Sequence, residues 1–125
     1  MMERLALRRA YEPPEEHDGK RILVDRLWPR GLRRDDAAID CWMKDIAPSP
    51  TLRKWFDHDP ARFAEFSDRY RQELDANSDA VEELCALLRD HKLTLVYAAR
   101  DEYINHVRVL AGYLSGRGCR PKEAD

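Results

Sequence analysis

Two short apolar runs interrupt a chain otherwise dense in charge, Ile22-Leu23-Val24 and Leu93-Thr94-Leu95-Val96-Tyr97. Consecutive apolar residues bounded by turn-forming ones describe strands covered on both faces. A strand is therefore predicted over about 21–27 and another from Leu93. Upstream, Leu5, Leu7 and Tyr11 alternate with Ala6, Arg8 and Ala10, the pattern of a first strand with one face inward. In the segment that follows, Pro13-Pro14 bars a helix and Asp18-Gly19 supplies a tight turn, leaving a hairpin or a looser return open.

Helical spacing takes over after Gly31. Ile39, Trp42, Met43 and Ile46 recur at steps of three and four, with Asp35 or Asp36 as cap and Pro48 as terminator. Ser49-Pro50 is an N-cap followed by proline at the first helical position, opening a short helix with Leu52, Trp55 and Phe56 as its buried stripe. Asp59-Pro60 repeats that signal and opens a longer helix carrying Phe63, Phe66, Tyr70 and Leu74 on one face. A further helix is predicted over 79–90, with Val81, Leu84, Cys85 and Leu88 inward, and a last one over 102–114, stopping near Gly116 and Gly118.

Strands on either side of a block of helices describe an α/β fold: a small single-domain layered sheet, residues 1–119, with the helical block between the second and last strands. The tail 120–125 lacks apolar residues and is predicted to be disordered. If the strands at 21–27 and 93–97 run side by side and parallel, the polar residues after each meet at one sheet edge, where open α/β sheets bind ligands.

The 125 residues suffice for one core but not two. With 22 basic and 24 acidic residues the net charge is −2, so bulk electrostatics supplies no argument for a nucleic-acid or membrane partner. Locally, Arg26, Arg30, Arg33 and Arg34 fall close together, a cluster that a solvated face explains as well as an anion site does. Cys41, Cys85 and Cys119 are odd in number and widely spaced, which argues against a zinc knot or a disulfide framework and fits a reducing, cytoplasmic setting. Met1-Met2-Glu3-Arg4 opens no signal peptide, and no apolar run reaches the roughly 20 residues that span a bilayer.

The candidate chemistry concentrates at the two strand ends. After the second strand, Asp25 and Arg26 point to opposite sides by strand alternation. Asp25 is expected to act as a structural clamp, paired with Arg30 or Arg100 in a charge-assisted bond between the loops. In Trp28-Pro29-Arg30-Gly31, proline fixes one dihedral and glycine frees another, holding Trp28 and Arg30 in set directions. Trp28 is either a lid over the core or a stacking platform, and the Arg30 fork suits a carboxylate or phosphate. After the last strand come Arg100 and Asp101, the latter a natural helix cap, and then Asn105 and His106 near the first helical turn.

The binding candidates are thus Arg26, Trp28, Arg30, Arg100 and Asn105, and the acid–base candidates are His106 and Asp101. His17, His58 and His91 have no metal-ligand spacing, and no Gly-rich phosphate loop or Gly-x-Ser-x-Gly elbow is present, so neither metal nor cofactor is expected.

Four segments together carry a resemblance: Val24-Asp25-Arg26-Leu27-Trp28-Pro29-Arg30-Gly31, Lys44-Asp45-Ile46-Ala47-Pro48-Ser49, Leu52-Arg53-Lys54-Trp55-Phe56 and Tyr97-Ala98-Ala99-Arg100-Asp101. Over nearly the whole chain, the sequence resembles the YeaO-like branch of a bacterial family of domains of unknown function. The resemblance implies a fold and carries no established activity. In the wider family the first junction resembles Val-Asp-x-Arg and the last helix carries Cys-His-Arg. Here Asp25 and Arg26 are adjacent, and Asn105-His106-Val107-Arg108 replaces the second motif. Asn105 stands where that cysteine would, so the resemblance implies a site without its thiol.

The expected function, in order, is an arginine-rich site for a small anionic ligand at the C-terminal ends of two strands, with an enzymatic role left open. Second comes a nucleic-acid-associated or regulatory module using Arg26, Arg30, Arg33, Arg34 and Arg53-Lys54-Trp55. Third comes a protein-interaction adaptor anchored on Trp42 or Trp55. No membrane partner is expected.

Overall fold

A computed structural model of the chain describes residues 5–117. Four strands form one parallel sheet in the order β1-β4-β2-β3: β1 is Leu5–Arg9, β2 Lys20–Leu23, β3 Cys41–Trp42 and β4 Leu93–Tyr97. β4 pairs with β1 (Leu7 opposite Leu95) on one side and with β2 (Ile22 opposite Leu95, Leu23 opposite Val96) on the other. The expected side-by-side, parallel arrangement of the two apolar runs is therefore present. β1 and β2 are not neighbours, which removes the hairpin alternative. β4 lies between them, and a short 3-10 turn at Glu16–Asp18 prepares the return.

Gly19 closes that turn with φ 68°, and a Cβ there would lie 2.3 Å from the Lys92 carbonyl oxygen. Only glycine fits so tight an approach. Beside it the Arg21–Asp18 ion pair is buried, with Nη1 2.7 Å from Oδ2, and the Arg21 Nε donates to the Ala37 carbonyl. Burial works against the Asp18 charge. The Glu15 N–H and the Arg21 guanidinium outweigh it and hold the carboxyl below its usual range.

The helices are α1 (Arg34–Ala37), α2 (Pro50–Phe56), α3 (Phe63–Asp75), α4 (Ser78–Asp90) and α5 (His106–Arg117). Ile22, Val24, Leu93, Leu95 and Tyr97 pack with the apolar faces of α2 to α5 into the main core. Leu23 and Val96 point the other way, where Ala10, Trp28, Leu32, Ile39 and Trp42 cover them. Both faces of β2 and β4 are thus sealed, as their unbroken apolar runs require.

Capping chemistry sets the helix starts. Ser49 Oγ accepts from Leu52 N (3.1 Å), and the same residue is gripped by Glu73 through Oγ and N. Asp59 Oδ1 accepts from Ala61 N and opens a 3-10 turn, Pro60–Arg62, that runs into α3. Phe66, Tyr70 and Leu74 of α3 are buried, as are Val81, Leu84, Cys85 and Leu88 of α4, matching the expected faces.

Three expectations are corrected. The segment from Ile39 to Ile46 is not a helix. α1 ends after one turn at Ala38, which adopts left-handed φ 51°, and the chain then joins the sheet as β3 before a 3-10 turn at Lys44–Ile46. The N–H of Asp40 donates to Arg21 O and that of Met43 to Leu23 O, so the open edge of β2 captures this stretch. The second strand also ends at Leu23 rather than near 27, although Val24 still donates to Val96 O. The last helix starts at His106, not at 102, and continues beyond Gly116. Gly118, Cys119 and the tail 120–125 lie outside the described residues.

Candidate functional site: a cleft at the strand ends

A cleft of about 810 Å³ opens where β2 and β4 end. The loop after β2 contributes Asp25 to Arg30, and the loop after β4 contributes Ala98 to Asp101 with Asn105 and His106. From the helical side come Arg53, Phe56 and His58 of α2 and its following turn, and Phe66 of α3. Every sequence-predicted site residue therefore lines one cleft, though several are engaged in ways the sequence did not indicate.

Asp25 fastens the two strand ends, but not through an arginine. Its Oδ2 accepts from the Ala98 N–H (2.9 Å), and its Oδ1 lies 3.1 Å from His106 Nε2. The same Nε2 is 3.1 Å from the Val24 carbonyl oxygen. The ring N–H is directed at that carbonyl, leaving Oδ1 buried beside the imidazole without a hydrogen bond of its own. Since both neighbours of Nε2 are acceptors, Nε2 carries the proton and Nδ1 is left as the ring's acceptor. Asp25 thus lies beside the His106 imidazole and the Ala98 N–H rather than beside Arg30 or Arg100.

Asn105 is buried and caps α5. Its Oδ1 accepts from Arg108 N (3.0 Å) while its Nδ2 donates to Asp101 O (2.7 Å). Asp101, expected as the cap, instead closes the turn before the helix, accepting from Tyr103 N (2.8 Å) and Ile104 N (2.9 Å). Those two N–H groups, Ile104 first, hold its exposed carboxyl below the usual range. Asp101 therefore stays an anion at neutral pH. That state suits a turn closer and not a proton donor.

Arg26 turns toward the helical layer, its guanidinium donating to the carbonyls of Ala47 (3.2 Å) and Pro48 (3.4 Å). Trp28 is half-buried: its Nε1 donates to Leu32 O (2.7 Å), its ring meets Trp42 edge-on at 5.5 Å, and the Arg34 guanidinium covers it at 4.9 Å. The lid reading of Trp28 is the one its contacts fit. Tyr70, fully buried behind His106, donates to Ile46 O at 2.6 Å. Burial, with Glu73 and Asp25 nearby, pushes its phenol well above the usual range, so it remains a neutral donor.

Arg30 and Arg100 are exposed at the cleft and make no side-chain hydrogen bond or ion pair among the described residues. The same is true of Arg53, which sequence reasoning assigned only to the nucleic-acid alternative. His58, also unassigned to the site, follows Asp57 in a pair of left-handed residues, φ 49° and 55°. Asp57 is the C-cap of α2, donating to Arg53 O, whereas His58 repeats the strained conformation beyond the cap and lies against Phe56. The cost is roughly 1–2 kcal/mol for such a residue. Only the spacing of Arg53 from the Ser49 cap, one turn into α2, could have hinted at its direction.

Trp42 and Trp55, the anchors expected of an adaptor, are half-buried. Trp55 packs on the main core under the guanidiniums of Arg62 and Arg69, and the Lys44 ammonium lies over Trp42. No helix of the described residues is long and apolar enough to cross a membrane.

Fold and cleft together define a small parallel α/β domain with a crevice lined by charged and apolar side chains at the carboxyl ends of its central strands. The chain belongs to the family described as the inactive DUF488-N3 subclade, whose model matches residues 4–124. It is 46% identical over 114 residues to an uncharacterised protein of Mycobacterium tuberculosis (strain ATCC 25618 / H37Rv), covering 91% of this chain and 96% of that one. It is 43% identical over 107 residues to the uncharacterised protein YeaO of Escherichia coli (strain K12), covering 86% and 93%. The resemblance read from the sequence motifs is borne out. No solved structure matches the chain.

Proposed function

We propose that this domain binds a small anionic ligand in the strand-end cleft and holds it without covalent catalysis. The observation that carries the reading is the set of three guanidiniums, Arg30, Arg53 and Arg100, that line the cleft and have no partner of their own among the described residues. Three guanidiniums at a concave site raise the local concentration of anions and offer planar, bidentate donors to phosphate or carboxylate oxygens.

The lining of the cleft is what speaks against covalent chemistry. No cysteine, serine, threonine or lysine lines the cleft among the described residues, and the asparagine at the head of α5 is consumed as a helix cap. Nucleophilic catalysis needs an activated group within reach of a base. Here His106 has no such neighbour, and its Nε2 is engaged with the Val24 carbonyl beside Asp25. A family described as inactive agrees with that reading.

Thermal unfolding with inorganic pyrophosphate tests it. Wild type should gain stability with rising ligand concentration, by mass action, and the Arg30→Ala/Arg100→Ala double variant should gain little. An equal response from both proteins, or none from wild type, rejects the proposal.

A further inference from the structure

The arginines account for only part of the cleft. Among the described residues the exposed large hydrophobics are Tyr11, Leu27 and Tyr103, and two of these, Leu27 at 62% exposed and Tyr11 at 45%, line this one cavity. A single exposed leucine on a surface asks for no explanation, but exposed apolar side chains gathered at a charged crevice do. Tyr11 is also fixed in place, its hydroxyl donating to the Arg30 carbonyl at 2.9 Å and so joining the loop after β1 to the loop after β2.

On the side of α2 and α3 the cleft is backed by the aromatic core. Phe56 and Phe66 stack at 4.2 Å, and the His58 ring lies 6.1 Å from Phe56. The left-handed pair Asp57 and His58 turns the chain out of α2, with the Asp59 N–H donating to Phe56 O at 3.0 Å, and leaves the His58 ring at the cleft with its nitrogens without a partner among the described residues. An exposed imidazole that lines a cleft with both nitrogens unpartnered is open to a ligand. The volume, about 810 Å³, lies in the range of sites for organic ligands.

Resting on the anion-binding reading, we infer that the ligand is an organic oxyanion carrying an apolar ring. Its phosphate or carboxylate lies at Arg30, Arg53 and Arg100, and its ring lies against Leu27, Tyr11 and His58. The arginines supply charge, and the apolar wall discriminates by the body that the charge is attached to.

Calorimetric titration with two monoesters of equal head group, methyl phosphate and phenyl phosphate, tests this. Wild type should bind phenyl phosphate at least about ten-fold more tightly, the least expected from burying a ring. Leu27→Ser and His58→Asn should each lower the ratio of the two affinities. Asparagine tolerates the left-handed backbone, and both positions are exposed, so the fold is retained. Equal affinity for the two esters, or a preference that neither variant changes, overturns the inference while leaving anion binding intact. Failure of wild type to bind either ester removes the anion-binding reading itself.

Discussion

His106 Nε2 lies 3.1 Å from Asp25 Oδ1, joining the first residue of α5 to the loop that leaves β2. The pair is mostly enclosed, each side chain 15% exposed, and it forms the floor of the strand-end cleft. Because Asp25 also accepts from Ala98 N, one carboxylate ties together β2, β4 and α5. Replacing it by asparagine keeps an acceptor for Ala98 but removes the charge beside the imidazole. Asp25→Ala leaves a half-buried N–H without its partner and should cost about 1–3 kcal/mol. Asp25→Asn should cost less, and urea unfolding of the two variants separates the hydrogen bond from the charge.

Tyr70 gives a cleaner case. Its phenol is fully buried and serves Ile46 O alone. Tyr70→Phe keeps the ring and strips one buried acceptor of its donor, so a loss of about 1–3 kcal/mol is expected in urea unfolding, with little change in the far-ultraviolet spectrum.

The Asp18–Arg21 pair lies at the opposite end of the sheet from the cleft, where both side chains are buried. Removing one member strands the other, and Asp18→Asn should destabilise by about 3–5 kcal/mol. The Asp18 carboxyl is held below its ordinary value in the folded chain. Its contribution is therefore complete above the unfolded-state value near 3.8 and lost as pH falls through the lower folded-state value. Acid unfolding of wild type should include this loss, and the acid limb of the Asp18→Asn stability curve should be flatter.

Ser49 both caps α2 and receives the Glu73 carboxylate. Ser49→Ala removes the cap and one of two bonds from Glu73, and a loss of about 0.5–2 kcal/mol is expected. Since α2 carries Arg53 and His58 follows its end, the same variant should weaken ligand binding without touching the cleft. Thermal unfolding with and without pyrophosphate measures both effects.

Much of this was legible in the chain. Ile22-Leu23-Val24 and Leu93 to Tyr97 are apolar on both faces, and such segments have few places to go except the middle of a parallel sheet. Ser49-Pro50 and Asp59-Pro60 carry their own capping chemistry, so those starts needed no tertiary information. The stretch from Ile39 to Ile46 was ambiguous because Ile39, Trp42 and Met43 suit a helix face as well as a short edge strand. The free edge of β2 decided the matter, and that edge exists only once the sheet has formed.

The site divides in the same way. Both polar strand ends could be named from sequence, and they do meet. The partner of Asp25 could not be named, because the choice among Arg30, Arg100 and His106 depends on how α5 is docked. The contributions of Arg53 and His58 depend on how α2 packs beside the sheet, which local pattern does not encode.

The central claim is that the arginine-lined cleft is where an anion binds. Titrating pyrophosphate into isotopically labelled protein and following backbone amide resonances is its most direct test. Saturable shifts concentrated around Arg30, Arg53 and Ala99-Arg100, and abolished in Arg30→Ala/Arg100→Ala, are predicted. Shifts that are absent, or that centre instead on the exposed Arg33 and Arg34, would contradict it.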